Sequence, residues 1–144
     1  EILESVNSSI KFYILMVYPG FSVSTALVYE NLKLKLTKRQ NNISILKNFL
    51  LQSEYAQLGA VWSNDLEPIV FQEHPGLPEI KKGMLALGAK GALLSGSGST
   101  VFGIFDNPEI AKNAYAQLDR ADLTLFLAES VASLSELYPE EILI

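Results

Sequence analysis

The chain has 144 residues, 49% of them hydrophobic and 19% charged, which excludes intrinsic disorder and favours one domain with a real core. It has no cysteine and one histidine, which excludes disulfides, thiolate metal sites and cysteine nucleophiles and argues against histidine-rich zinc sites. The 11 basic and 16 acidic residues give a net charge of −5, which argues against nucleic-acid binding. No apolar run reaches the length of a membrane span, and no signal peptide is visible, so we expect a cytoplasmic protein.

The first elements predicted along the chain are a strand and a helix. The β-branched and aromatic residues from Ile10 to Tyr18 predict a buried strand that ends at Pro19-Gly20. A helix through Leu32 follows, and three hydroxyl residues offer N-caps for it: Ser22, Ser24 and Thr25. The polar and basic stretch from Lys33 to Asn42 predicts a loop.

Three helices are predicted in the middle of the chain. Their expected spans are Ile43–Leu58, Asn64 to about Glu73, and Glu79–Leu87. Gly59 and Gly88 supply stops for the first and third of these helices. The sequence Asn64-Asp65-Leu66-Glu67 has capping-box spacing, which favours a helix start there, and Pro75 and Pro78 are expected to bracket a turn.

The remaining residues predict a hairpin, a helix and a last strand. The expected spans are strands Ala89–Leu94 and Thr100–Phe105, helix Pro108–Leu118 and strand Leu123–Val131. The order of strand, helices, strand, strand, helix and strand is typical of the α+β ferredoxin-like split βαβ sandwich, here with extra helices in the first crossover. We therefore expect an antiparallel sheet with its helices on one face.

The strongest local signal for chemistry is the glycine loop, which we define as Ser95-Gly96-Ser97-Gly98-Ser99. Small residues let a backbone approach a ligand closely, and successive N–H groups can bind an anion. A flexible hairpin loop is the alternative interpretation. A dinucleotide fingerprint is excluded because a strand follows the loop where a helix would be required, and a Walker A motif is excluded because the loop has no lysine.

Two groups of residues resemble the GHMP superfamily of small-molecule kinases. The sequence NDLEP from Asn64 and the sequence GALLSGSGSTVFG from Gly91 resemble the C-terminal half of these enzymes. The stretch Tyr18–Thr25 (YPGFSVST), followed by Val28-Tyr29, is similar to the branch that acts on a cytidine-diphosphate-linked methylerythritol in non-mevalonate isoprenoid biosynthesis. The resemblance covers about Ile10 to Ser133 and implies a ferredoxin-like C-terminal domain, in agreement with the predicted element order.

This resemblance also implies roles for individual residues. It implies that Thr25 faces the phosphate region, that Tyr29 stacks on the cytosine of the substrate, and that the glycine loop supports the phosphate-bearing region at a domain interface. It further implies an N-terminal domain of the same protein that holds ATP with Mg²⁺ and carries the catalytic aspartate and lysine. None of those N-terminal residues is in this sequence, so no catalytic residue and no metal ligand is assigned, and we expect the chain alone to be inactive and without a cofactor.

Simpler interpretations of the same residues remain open on the sequence alone. A core position is the alternative for Tyr29, and a simple helix cap is the alternative for Thr25. The Asn64–Glu67 segment is more typical of a helix cap than of a metal site. His74 is predicted to lie exposed in a turn, and Trp62 is predicted to make a packing contact. At the level of function, the alternatives are a non-catalytic ferredoxin-like binding or regulatory module and another GHMP kinase, such as a homoserine or mevalonate kinase.

Overall fold

A computed structural model describes residues 11–32, 45, 48 and 58–131. The strands are β1 (Tyr13–Tyr18), β2 (Gly91–Leu94), β3 (Val101–Phe105) and β4 (Thr124–Glu129). The helices are α1 (Thr25–Leu32), α2 (Leu58–Val61), α3 (Glu67–Glu73), α4 (Gly76–Ala86) and α5 (Pro108–Leu118). The predicted basic loop, almost all of the predicted helix Ile43–Leu58 and the polar tail lie outside the described residues.

The described strands form one antiparallel sheet in the order β2-β3-β1-β4. In this order the first strand lies between the third and the fourth, as the split βαβ plan requires. Leu15 of β1 pairs with Gly103 on one side and with Leu127 on the other. The predicted ferredoxin-like fold is confirmed.

The main core lies on the face of the sheet that carries Leu15 and Val17. Helices α4 and α5 pack on this face, and Met84 of α4 lies so close to Gly103 that a Cβ there would be 3.0 Å from its sulfur. Leu15, Val17, Met84 and Phe105 are fully buried. Each such side chain contributes roughly 1.5–3 kcal/mol relative to an exposed position, so this face supplies most of the stability of the described fold.

The opposite face of the sheet is not free of helices, which corrects one expectation. Neighbouring residues of a strand point to opposite faces, so Gly91 and Phe102 face away from the main core. Helix α2 and Trp62 lie on this side, where Gly59 approaches Gly91 and the Trp62 ring lies 6.2 Å from that of Phe102. The prediction that Gly59 ends a helix is therefore wrong, because Gly59 lies inside α2.

Two predicted helix starts are also wrong. Helix α3 begins at Glu67 and no side chain caps its N-terminus, so Asn64 does not form a capping box. Helix α4 begins at Gly76, three residues before the predicted start, and Pro78 lies in its first turn, where the missing N–H removes no helical hydrogen bond. The predicted stop at Gly88 is confirmed by its φ of 100°.

Helix α5 has the predicted bounds. The Asn107 side chain accepts hydrogen bonds from the amides of Glu109 and Ile110, and Pro108 occupies the first helical position. None of the helices in the described part of the chain is long and apolar enough to cross a membrane.

Candidate functional site at the glycine loop

The glycine loop connects β2 to β3 and is closed by its own backbone. The amide of Ser95 donates to the carbonyl of Thr100 at 2.8 Å, and the amide of Gly98 donates to the carbonyl of Ser95 at 2.9 Å. Gly96 has a φ of 56° and Gly98 a φ of 92°, a region that other residues rarely adopt. Within the described ranges, the amides of Gly96 and Ser97 donate no hydrogen bond, so both N–H groups are available to a ligand.

Two hydroxyl contacts join the glycine loop to the segment that leads into α1. The hydroxyl oxygens of Thr25 and Ser97 lie 2.8 Å apart. The Ser99 hydroxyl, which is 3% exposed, donates to the carbonyl of Phe21. The structure thus brings together two sequence motifs that lie about seventy residues apart.

Tyr29 lies on the exposed side of α1. Its side chain is 52% exposed, whereas Val28 is the buried residue of this helix. The interpretation of Tyr29 as a core residue is therefore wrong. Residues four apart share one face of a helix, so Tyr29 lies one turn beyond Thr25, on the side from which Thr25 reaches the glycine loop.

The Asn64 side chain contacts the glycine loop and the Glu67 side chain contacts Leu94, the residue before it, which the sequence did not predict. The Asn64 side-chain amide donates to the carbonyls of Leu94 and Gly96 at 2.9 and 2.7 Å, and its oxygen accepts from the amide of Leu66. One carboxylate oxygen of Glu67 accepts from the amide of Leu94 at 2.9 Å, and the other is 2.7 Å from the Lys81 ammonium. These contacts replace the expected capping box, and neither its spacing nor the resemblance of NDLEP to GHMP kinases predicted them.

His74 lies beside the same region and is half-buried, so the prediction of an exposed histidine is wrong. Its ring lies 4.9 Å from that of Phe21, at an angle of 32°. The two rings line a pocket of about 330 Å³ whose floor includes Leu77 and Ile80. This contact supports the loop that carries Phe21.

Comparisons with known proteins identify the family of the chain. The family described as GHMP kinases C terminal matches residues 39–123. The chain belongs to this family. In GHMP kinases, ATP is the phosphate donor.

Several curated relatives share one enzyme name. The 4-diphosphocytidyl-2-C-methyl-D-erythritol kinase of Syntrophus aciditrophicus is 44% identical over 110 residues, which are 76% of this chain and 38% of the relative. The kinase of the same name from Syntrophotalea carbinolica is 39% identical over 130 residues, which are 90% of this chain and 45% of the relative. The chain thus spans about two fifths of the length of these relatives.

A solved structure shares the fold. The crystal structure of a 4-(cytidine 5'-diphospho)-2C-methyl-D-erythritol kinase is 28% identical and superposes with a TM-score of 0.70. The match covers 85% of this chain and 44% of the other. Fold and sequence therefore point to the same branch of the GHMP kinases.

Proposed function

We propose that this chain is the substrate-side domain of a cytoplasmic kinase that transfers the γ-phosphate of ATP to the 2-hydroxyl of 4-diphosphocytidyl-2-C-methyl-D-erythritol. The observation that carries the proposal is the 2.8 Å contact between Thr25 and Ser97, which places the start of α1 beside the glycine loop. The similar proteins from Syntrophus aciditrophicus and Syntrophotalea carbinolica are named 4-diphosphocytidyl-2-C-methyl-D-erythritol kinase, which supports this choice of substrate. They are also longer than this chain, so an N-terminal domain of the same protein is part of the proposal.

The glycine loop is proposed to bind phosphate through its backbone. The Gly96 and Ser97 amides carry N–H groups that have no acceptor within the described residues. Such groups bind anions without a lysine, which suits a chain whose net charge is −5. The positive φ angles of Gly96 and Gly98 allow the tight turn that exposes these amides.

Thr25 and Tyr29 are proposed to face the substrate. Thr25 contacts the loop directly, so a phosphate held by the loop lies within reach of its hydroxyl. The exposed ring of Tyr29, one helical turn further, is available to stack on the cytosine. Stacking of a base on an aromatic ring is worth about 1–3 kcal/mol.

The described residues do not fit a Mg²⁺ site. No three of their acidic or histidine side chains lie close enough to share a metal ion, and Glu67 already accepts hydrogen bonds from Lys81 and Leu94. No part of the proposed reaction is therefore assigned to a metal ion held by these residues. The residues of this chain bind and orient the substrate, whereas MgATP and the catalytic base belong to the proposed N-terminal domain.

A substrate comparison tests this proposal. The protein encoded by the complete reading frame is incubated with ATP and with the cytidyl substrate, mevalonate or homoserine, and ADP release is measured. We expect turnover with the cytidyl substrate alone. Turnover of mevalonate or homoserine instead would assign the protein to another GHMP kinase, and turnover of none of the three would favour the non-catalytic module.

A further inference from the structure

Two side chains of the segment from Asn64 to Glu67 hold Leu94, the residue before the glycine loop, from the open edge of the sheet. Among the described strands, β2 lies at an edge of the sheet, so the backbone groups of Leu94 that point away from β3 have no strand partner there. Glu67 accepts from the amide of Leu94, and Asn64 donates to its carbonyl. Two side chains thus occupy the place of a fifth strand at the point where the loop begins.

Asn64 also determines how the loop presents its amides. Its second N–H donates to the Gly96 carbonyl at 2.7 Å. The C=O and N–H of a trans peptide point in opposite directions, so this contact turns the N–H of Ser97 away from Asn64. Because the Asn64 oxygen accepts from the Leu66 amide, the side chain cannot rotate without losing three hydrogen bonds.

Lys81 acts on the loop through Glu67. The two side chains are 23% and 13% exposed and lie 2.7 Å apart, so the pair is partly shielded from water. Lys81 belongs to α4, which packs on the main core, and the ion pair therefore ties the Glu67 carboxylate to a fixed element. Without Lys81 this carboxylate would be half-buried and unpaired, which favours its rotation towards water.

We infer that Asn64 and the Glu67–Lys81 ion pair are positioning residues that fix the orientation of the free amides of the glycine loop. The inference rests on the proposed function, because it makes these amides the phosphate ligands. Asn64 contacts the backbone of Leu94 and Gly96, Glu67 contacts the backbone of Leu94, and Lys81 holds Glu67 in place.

The first measurement does not depend on kinase activity. Hydrogen exchange is followed by mass spectrometry in peptides covering residues 94–100 of the protein encoded by the complete reading frame. In Asn64→Asp, where two donors become acceptors facing carbonyls, exchange in these peptides should be about tenfold faster or more. Peptides from α5 should be unchanged. Unchanged exchange in the loop would overturn the inference.

The second measurement uses the reaction and a matched control. Asn64→Asp and Lys81→Met should each lower kcat/KM of the folded enzyme about tenfold, and Lys81→Arg should restore most of the loss. The control is Lys82→Met, which breaks an exposed pair with Glu79 (71% and 68% exposed) on the same helix and should change kcat/KM less than twofold.

The outcomes separate the inference from the proposed function. Faster exchange with lower kcat/KM, at melting temperatures equal to that of Lys82→Met, supports the positioning role. Faster exchange with normal kcat/KM overturns it and leaves the proposed function intact. If the unaltered protein does not phosphorylate the cytidyl substrate, the proposed function fails, and the loop's exchange in Asn64→Asp and Lys81→Met then decides whether these residues fix the amides.

Discussion

Alanine at Gly98 should destabilise the chain more than alanine at Gly96, because a methyl group meets different surroundings at the two positions. At Gly96 the φ of 56° lies in the left-handed region and a Cβ would have nothing within 4 Å, so the cost is the conformational strain of about 1 kcal/mol. At Gly98 the φ of 92° lies further from that region, and a Cβ would be 3.1 Å from the buried Leu94 side chain. We expect about 2–3 kcal/mol there.

Urea denaturation of the chain measures this difference, with the fluorescence of its single tryptophan, Trp62, as the probe. Gly96→Asn is the control for strain, because asparagine tolerates the left-handed region better than alanine and should lose less stability than Gly96→Ala. Ser97→Ala is the control for the loop and should lose about 0.5 kcal/mol. Equal losses for the two alanine variants at Gly96 and Gly98, or a larger loss at Gly96, would refute the reasoning.

Three further predictions concern the active site and the sheet. The isolated chain should fold but show no ATP turnover in a coupled ADP assay, and any measurable turnover would contradict the assignment of catalysis to the N-terminal domain. In the complete enzyme, Tyr29→Ala should weaken substrate binding by about 1–3 kcal/mol in titration calorimetry while Tyr29→Phe binds normally, and equal losses would argue against stacking. Gly59→Ala places a Cβ 2.9 Å from the Lys90 carbonyl and should cost about 1–3 kcal/mol in urea, whereas Gly76→Ala meets nothing within 4 Å and should stay within 0.5 kcal/mol; the reverse order would disprove the close approach of α2 to β2.

Elements whose boundary signals are local were predicted well. Helix α5 begins at a side-chain cap from Asn107 followed by Pro108, and both signals act within one turn. The stop at Gly88 is equally local, since a positive φ there lets the Ala89 amide reach the Met84 carbonyl. The order of such elements was enough to predict the fold.

The roles of residues that contact distant parts of the backbone were predicted wrongly. Asn64 has the spacing of a cap, but its donors bind Leu94 and Gly96, thirty residues later, and no local pattern contains that contact. Gly59 resembles a helix stop, yet it is needed because the backbone of Lys90 passes too close for a Cβ. In both cases a tertiary contact requires this residue type. The sequence pattern instead suggested the commoner local role of the same residue type, a helix cap for asparagine and a helix stop for glycine.

The composition of the site limits what this chain can do by itself. The groups that we propose to face the ligand are the Thr25 and Ser97 hydroxyls, the Tyr29 ring, and the Gly96 and Ser97 amides, which donate to no acceptor among the described residues. Hydroxyls and amides of this kind donate hydrogen bonds at neutral pH but do not act as bases without a partner that accepts their proton. The carboxylate of Glu67, which contacts the residue before the glycine loop, already accepts from Lys81 and Leu94. We therefore propose that this site holds and orients a phosphorylated substrate, and that a residue of the proposed N-terminal domain takes the proton of the attacking hydroxyl.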